Sequence, residues 1–174
     1  MSSFNLLLST NRNYEKKAEL EVWFYLFILG DEDPLIIRSP IDGLLLINTS
    51  LDPYNVINSL RKIIRKNSEF PKFIIKLIPI DFVIETDLNF IHSAVKSLLE
   101  NNKAKTQKGS YCIQIKKRAT NLSGSEIIDK IARIVENPVS LKNPNWIVRI
   151  EIIGNIEEYK GNLEVIAQRI RIIS

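Results

Sequence analysis

Residues 101–118 read NNKAKTQKGSYCIQIKKR. They carry Lys103, Lys105, Lys108, Lys116, Lys117 and Arg118 and no Asp or Glu. From Tyr111 onward the stretch has the period of a half-buried strand, with Tyr111, Ile113 and Ile115 alternating with Cys112, Gln114 and Lys116. The strand runs into Lys116-Lys117-Arg118, so a rigid element brings three cations to one edge of a fold. The residues before it, predicted as a flexible loop from Lys103 to Lys108, add three more. Phosphate contacts need fixed cations, and affinity grows with their number through counterion release. A solvated lysine-rich surface has the same composition, and both readings stand at this point.

Working outward, the elements on either side of this strand are helical. Asp87 is an N-cap before Leu88, Ile91, Ala94, Val95, Leu98 and Leu99, which share one helix face, with His92 on the polar flank. Ser123-Gly124-Ser125-Glu126 has the form of a capping box, opening a helix to about Glu136 with Ile127, Ile128, Ile131, Ile134 and Val135 inward. Trp146 to Ile153, WIVRIEII, is a second strand. Gly154 to Gly161 is predicted as a turn or edge hairpin, and Asn162 to Ile173 as a last strand or short helix.

The first half alternates differently. Phe4–Ser9 is a short apolar strand, and Asn13–Leu29 a helix with Ala18, Val22, Tyr25, Leu26 and Leu29 at helical spacing. Trp23, Phe24, Phe27 and Ile28 fall around the rest of its last turns, so that end is apolar nearly all round and calls for a neighbouring domain or a second subunit. Leu35–Arg38 and Leu44–Asn48 form a hairpin across Ser39–Gly43. Asp52-Pro53 then opens a helix to about Lys66, with Val56, Ile57, Leu60, Ile63 and Ile64 buried and Arg61, Lys62, Arg65 and Lys66 exposed. Residues 73–85, FIIKLIPIDFVIE, give one or two strands bent at Pro79. The order β-α-β-β-α-β is the split βαβ, or ferredoxin-like, arrangement.

Length and charge agree with a two-part chain. The 174 residues fit one ordinary domain or two small ones. Residues 1–86 hold 10 Lys or Arg against 11 Asp or Glu, whereas residues 87–174 hold 14 against 9. The positive excess therefore belongs to the second half, and nucleic acid is the first candidate partner. The longest wholly apolar run, Val22–Leu29, is far too short to cross a bilayer, which takes about 20 residues. The N-terminus lacks the basic and apolar regions of a signal peptide, and a cytoplasmic, reducing setting is expected.

Catalytic chemistry finds little support. There is no glycine-rich phosphate loop and no nucleophile elbow, and the single histidine, His92, rules out most zinc and triad chemistry. Cys112 has no evident base and reads as a small strand hydrophobe. Asn143-Pro144-Asn145-Trp146 partly matches the Asn-Pro-Pro-aromatic signature of amino-group methyltransferases, but lacks the second proline, and a turn into the strand at Trp146 accounts for it. No metal and no cofactor are expected.

The succession Ile78-Pro79-Ile80, the helix from Asp87, Tyr111–Arg118, Ser125-Glu126-Ile127-Ile128 with Ile131-Ala132 and Val135, and Val139–Asn145 before WIVRIEII resembles a THUMP domain. This is an RNA-binding module of thiouridine synthases, RNA methyltransferases, pseudouridine synthases and tRNA-acetylation adaptors. The resemblance implies an α/β (α+β) chain, with a ferredoxin-like domain over residues 1–78 and a THUMP domain over 79–174. With the KKR run, the L-x-N-P-[DN] turn and no catalytic domain expected after residue 174, the chain is most similar to the stand-alone adaptor branch. That branch is not itself enzymatic and presents tRNA to a separate RNA acetyltransferase making N4-acetylcytidine. Asn145, where an acid is usual, and the tip at 156–161 depart from the pattern. The resemblance implies RNA contacts by Lys116, Lys117 and Arg118, helped by Lys103, Lys105, Lys108 and Arg149, the last with pairing to Glu151 or a cross-strand acid as its alternative. Two rivals stay open. One is the RNA-binding subunit of a split methyltransferase or thiouridine synthase. The other is a scaffold that binds no RNA and makes its contact, a homodimer or domain contact, through Trp23, Phe24, Phe27 and Ile28.

Overall fold

The structure, a computed structural model, describes residues 4–66, 69–154 and 165–172, with Lys105 and 165–172 described by backbone alone. The chain forms two compact units, Met1–Ile80 and Asp81–Ser174. Ile78, Pro79 and Ile80 fall in the first. The reason is local: β4 (Lys76–Pro79) pairs with β1 (Leu6–Ser9), and the Ile80 N–H donates to the Asn5 carbonyl at 2.9 Å.

The first unit runs β1, α1 (Glu15–Ile28), β2 (Leu35–Arg38), β3 (Leu44–Asn48), α2 (Pro53–Lys66), β4. Its antiparallel sheet has the order β2-β3-β1-β4, the split βαβ arrangement that the element order predicts. Leu6 and Leu8 of β1 and Leu45 and Ile47 of β3 face Ala18, Val22, Tyr25 and Leu26 of α1 and Val56, Ile57 and Leu60 of α2. Truncating one of these leucines to alanine costs about 2–5 kcal/mol. Leu7, Leu44 and Leu46, on the other face of the central strands, are buried as well, which is why both strands read as unbroken apolar runs. Asp52 Oδ1 accepts from the Asn55 N–H at 2.7 Å and caps α2. Ile64, expected inward, is exposed, because the buried stripe of α2 runs through Val56, Ile57 and Leu60, with Ile63 packed at its border.

The second unit runs β5 (Phe82–Ile84), α3 (Leu88–Asn101), α4 (Lys103–Thr106), β6 (Tyr111–Arg118), α5 (Gly124–Ala132), β7 (Trp146–Ile153), β8 (Val165–Ile172). Residues 73–85 thus supply two strands to two different sheets. The second sheet has the order β5-β8-β7-β6, with β6 parallel to β7 and the other pairs antiparallel. Asp87 Oδ1 caps α3 through the N–H groups of Asn89 and Phe90, at 2.6 and 3.3 Å. Helices α3 and α5 bury Ile91, Val95, Leu98, Ile127 and Ile131 against Tyr111, Trp146, Val148, Ile150 and Ile152. Helix α5 stops at Ala132, earlier than predicted: Ile134 and Val135 bond back to Ile131 and Ala132, a tightened turn, and Ile128 is exposed. Residues 165–172 are a strand, which settles the alternative left by the sequence. The turn or hairpin expected over 154–161, Gly154 apart, lies outside the described residues, as does the 156–161 tip.

Candidate nucleic-acid interface

Strand β6 is pinned at its start. The Tyr111 N–H donates to the Pro138 carbonyl at 2.9 Å, the Ser140 N–H donates to the Tyr111 carbonyl at 2.8 Å, and the Tyr111 ring stacks on Trp146 with centroids 5.0 Å apart. Asn145 Oδ1 accepts from the Ser110 N–H at 2.7 Å and from the Ser110 hydroxyl at 3.1 Å. A carboxylate could accept both bonds, so Asn145 supplies here the acceptor that an acid at this position could also supply. The clamp also explains Gly109: its φ is +88°, and a Cβ there would lie 2.6 Å from Asn145 Oδ1.

From this fixed start β6 runs beside β7 and delivers its cations to alternate faces. Lys117 lies on the face of Tyr111, Ile113 and Ile115, beneath the helices, and Lys116 and Arg118 on the other. The Lys117 Nζ donates to the Leu122 carbonyl at 2.8 Å, so the side chain follows the connection into α5. Arg118 Nη1 meets Glu151 Oε2 at 2.8 Å, in a pair whose side chains are 14% and 2% exposed. Lys116 is exposed. Beside them α5 begins with Ser123 Oγ accepting from the Glu126 N–H at 3.4 Å, one half of a capping box. The end of β6, the parallel end of β7 and the N-terminus of α5 therefore converge. Such an edge favours anions, because the helix N-terminus carries partial positive charge and the strand end presents lysines.

Lys103 and Lys108 are elsewhere. They precede β6, and Lys116 to Arg118 lie five to seven positions, about 17–23 Å, along the strand from its start, so the six do not form one edge. The predicted flexible loop holds a helical turn instead: α4 continues from the end of α3, with no glycine before Gly109 to break it, and the Thr106 and Gln107 N–H groups bond to Asn102 and Lys103. Lys103 lines an open cleft of about 670 Å³ with Leu99, Thr106, Gly109, Asn137 and Pro138, and Glu100 and Glu136 stand at its wall. Lys108 is exposed, and only the backbone of Lys105 is described.

Arg149 donates to Gln114 Oε1 at 2.7 Å, while Glu151 takes Arg118, so pairing of Arg149 with Glu151 or with a cross-strand acid does not occur among the described bonds. In register Arg149 faces Arg169 of β8, and Ile147 faces Arg171. Arg169 and Arg171 thus share the sheet face of Lys116, Arg118 and Arg149, and sequence reasoning passed over both. The signal was present in Val165–Ile172, where Ile166, Ile170 and Ile172 alternate with Ala167, Arg169 and Arg171.

Burial pushes the Cys112 thiol up, only partly offset by Gln114 and Arg149, so it is a poor thiolate. Burial likewise raises the Tyr111 phenol. Among the described residues no three His, Cys, Asp or Glu side chains stand close enough to share a metal ion, and no helix is long and apolar enough to cross a membrane.

Comparison with known proteins agrees with this architecture. Residues 85–156 match the family model of the THUMP domain. The second unit carries a THUMP domain. Over 96 residues the chain is 29% identical to the uncharacterized protein MJ1257 of Methanocaldococcus jannaschii, a match covering 55% of this chain and 26% of that protein. Among solved structures it is similar to PH1313 from Pyrococcus horikoshii OT3 (TM-score 0.63, 14% identity, 98% of this chain and 55% of that one). It is also similar to TrmN from Thermus thermophilus (0.61, 14%, 99% and 46%). A third similar structure is a predicted N6-adenine-specific DNA methylase from Listeria monocytogenes (0.51, 12%, 95% and 39%). At these identities the structural matches show the fold. They extend over both units, so the fold of each unit recurs in all three. The chain spans about half the length of the first two structures and about a quarter of MJ1257.

Proposed function

We propose that this chain binds tRNA through its THUMP domain and acts as a non-catalytic adaptor, presenting tRNA to a separate acetyltransferase that makes N4-acetylcytidine. The observation that carries the RNA reading is the end of β6, which carries Lys116 and Lys117 on its two faces beside the N-terminus of α5, within the segment that matches the THUMP domain. The site is rich in cations and poor in exposed aromatic rings, which suits recognition of RNA by backbone and shape more than by stacking on bases. The adaptor role is supported by the KKR run and the Leu141-Lys142-Asn143-Pro144-Asn145 turn. Cytidine specificity then comes from geometry, the bound end of the tRNA setting where the partner enzyme reaches.

A second reading is favoured by one observation, the greater length of the matched proteins. In it, the same two units form the RNA-binding portion of a tRNA methyltransferase or thiouridine synthase whose catalytic domain lies on another chain or another segment. Recovery of the endogenous protein with its partners, followed by tRNA modification assays, separates the two. Stimulated cytidine acetylation supports the adaptor, and co-recovery of methyl-transfer or thiolation activity supports the alternative. Failure of the wild-type chain to bind tRNA at low salt overturns both.

A further inference from the structure

Residues 1–80 hold ten Lys or Arg against nine Asp or Glu, yet the two signs are used differently. Five of the acids are engaged within the fold. Glu15 accepts from the Gly43 N–H at 2.7 Å, Glu19 pairs with Arg38 at 2.7 Å, and Glu21 accepts from the N–H groups of Lys72, Phe73 and Ile74. Asp31 accepts from Thr49 and Ser50, and Asp52 caps α2. The cations instead collect on the outside of α2.

Val56, Ile57 and Leu60 hold one side of α2 to the core. At about 3.6 residues per turn Arg61, Lys62, Arg65 and Lys66 fall on the opposite side, where all four are exposed. Asn55 and Asn58 continue that face toward the N-terminus, so it runs about 17 Å without an acid or an exposed aromatic ring. Arg61 with Arg65 and Lys62 with Lys66 are like-charged neighbours one turn apart, an arrangement that weakens a helix. No described ion pair relieves it, because those of this unit join Arg12 to Asp42 and Arg38 to Glu19. The negative end of the helix dipole accounts for Arg65 and Lys66 in the last turn, but its influence fades before Arg61 and Lys62.

We infer that this face is a second RNA contact, on the ferredoxin-like unit, and takes the phosphate backbone of a base-paired stem. Phosphates supply the counter-charge that the four cations lack among the described residues. Without exposed rings the face has nothing on which to stack the bases of a single strand, and the amides of Asn55 and Asn58 can both donate to and accept from ribose hydroxyls. The exposed side of α1 differs, because Trp23, Phe24, Phe27 and Ile28 offer a polyanion no charge. The inference rests on the tRNA reading and extends it, since each unit then holds the RNA backbone by its own cations.

Binding of a tRNA transcript to the full chain across a salt series tests this. Arg61→Gln/Arg65→Gln and Lys62→Gln/Lys66→Gln are each expected to flatten the log–log salt slope by about two. Arg12→Gln/Lys16→Gln, an equal loss of charge on the same unit, leaves the slope unchanged. Arg61→Glu/Lys62→Glu places an acid one turn before Arg65 and Lys66, the favourable order in a helix, so the melting temperature holds or rises while tRNA affinity falls at least about tenfold. Unchanged slopes in the two α2 glutamine variants, with slope lost in Lys116→Ala and Lys117→Ala, overturn this contact and leave the tRNA reading standing. A wild type that does not bind tRNA at low salt overturns both. A melting temperature that falls in Arg61→Glu/Lys62→Glu reveals an intramolecular partner for these cations, and an equal slope loss in Arg12→Gln/Lys16→Gln reveals an effect of net charge alone. Poly-glutamate bound as tightly as tRNA reveals a site for acidic protein. Each of these three results overturns the inference.

Discussion

Arg118 donates from Nη1 to Glu151 Oε2 at 2.8 Å across the parallel pair β6–β7, two strand positions on from Lys116, the residue opposed to Glu151. Glu151 is nearly inaccessible, so Arg118 is the cation that neutralises it. This arginine has a structural duty that an isolated KKR run does not reveal. Removing one member of such a pair leaves a buried charge, which costs more than the pair itself contributes. Arg118→Ala is expected to destabilise the second unit by about 3 kcal/mol, whereas Lys116→Ala leaves stability within about 0.5 kcal/mol. Urea unfolding monitored by Trp146 fluorescence measures both.

The lysines at the end of β6 should show themselves through salt. Lys116→Ala and Lys117→Ala are each expected to reduce the slope of log affinity for tRNA against log salt by about one. The same change at Lys103, in α4 before the start of β6, reports whether the RNA spans both cation groups. A flat response at all three moves the RNA to another surface, with the Arg61, Lys62, Arg65 and Lys66 face of α2 next to be tested.

Arg169 and Arg171 occupy register positions beside Arg149 and Ile147. If the sheet face of Lys116 takes part in RNA binding, Arg169→Ala and Arg171→Ala weaken tRNA binding with a loss of salt slope comparable to that of Lys116→Ala. Gln168→Ala, one position over and so on the opposite face, leaves it unchanged. Filter binding at two salt concentrations distinguishes these outcomes.

The Asn145 clamp predicts a pattern of tolerance. Asn145→Asp keeps an oxygen for the Ser110 N–H and hydroxyl and is expected to hold stability within about 1 kcal/mol, while Asn145→Ala orphans both donors and costs about 1–3 kcal/mol. Gly109→Ala, forced to a positive φ and into the Asn145 side chain, is destabilising by a similar amount. Thermal unfolding of the three variants ranks them.

Asp31 ties the end of α1 to the start of the second helix connection. Burial pushes its carboxyl up, but hydrogen bonds from the Thr49 hydroxyl and the Ser50 hydroxyl and N–H outweigh this and hold it below the usual carboxylate range. A carboxyl with a lowered folded pKa stabilises above its unfolded value of about 3.9, and that contribution is lost as pH falls through the folded value. Acid unfolding of the first unit is therefore expected to shift to higher pH in Asp31→Ala, and near-neutral stability to drop by about 2 kcal/mol. Denaturant titrations between neutral and acidic pH check the sign.

Periodicity and caps were enough for the sequence to determine most elements. The unbroken apolar run of Leu44–Ile47, the alternation in Tyr111–Lys116, the caps at Asp52, Asp87 and Ser123, and the two apolar stripes of α1 are local patterns, and local sterics and backbone hydrogen bonding enforce them. The order β-α-β-β-α-β likewise led to the observed sheet order, because short connections and antiparallel neighbours leave few alternatives. The candidate site was legible only as a composition. That six cations lie close together in the chain says nothing about distance once a strand of eight residues runs between them. Which face each lysine takes and which arginine is committed to a buried acid is decided by the register of β6 on β7, a pairing across more than thirty positions of chain. Arg169 and Arg171 join the site only because β8 returns antiparallel beside β7. The chain's own local rules fix helices, strands and caps. The placement of charge is fixed by long-range pairing, whose partners no local pattern names.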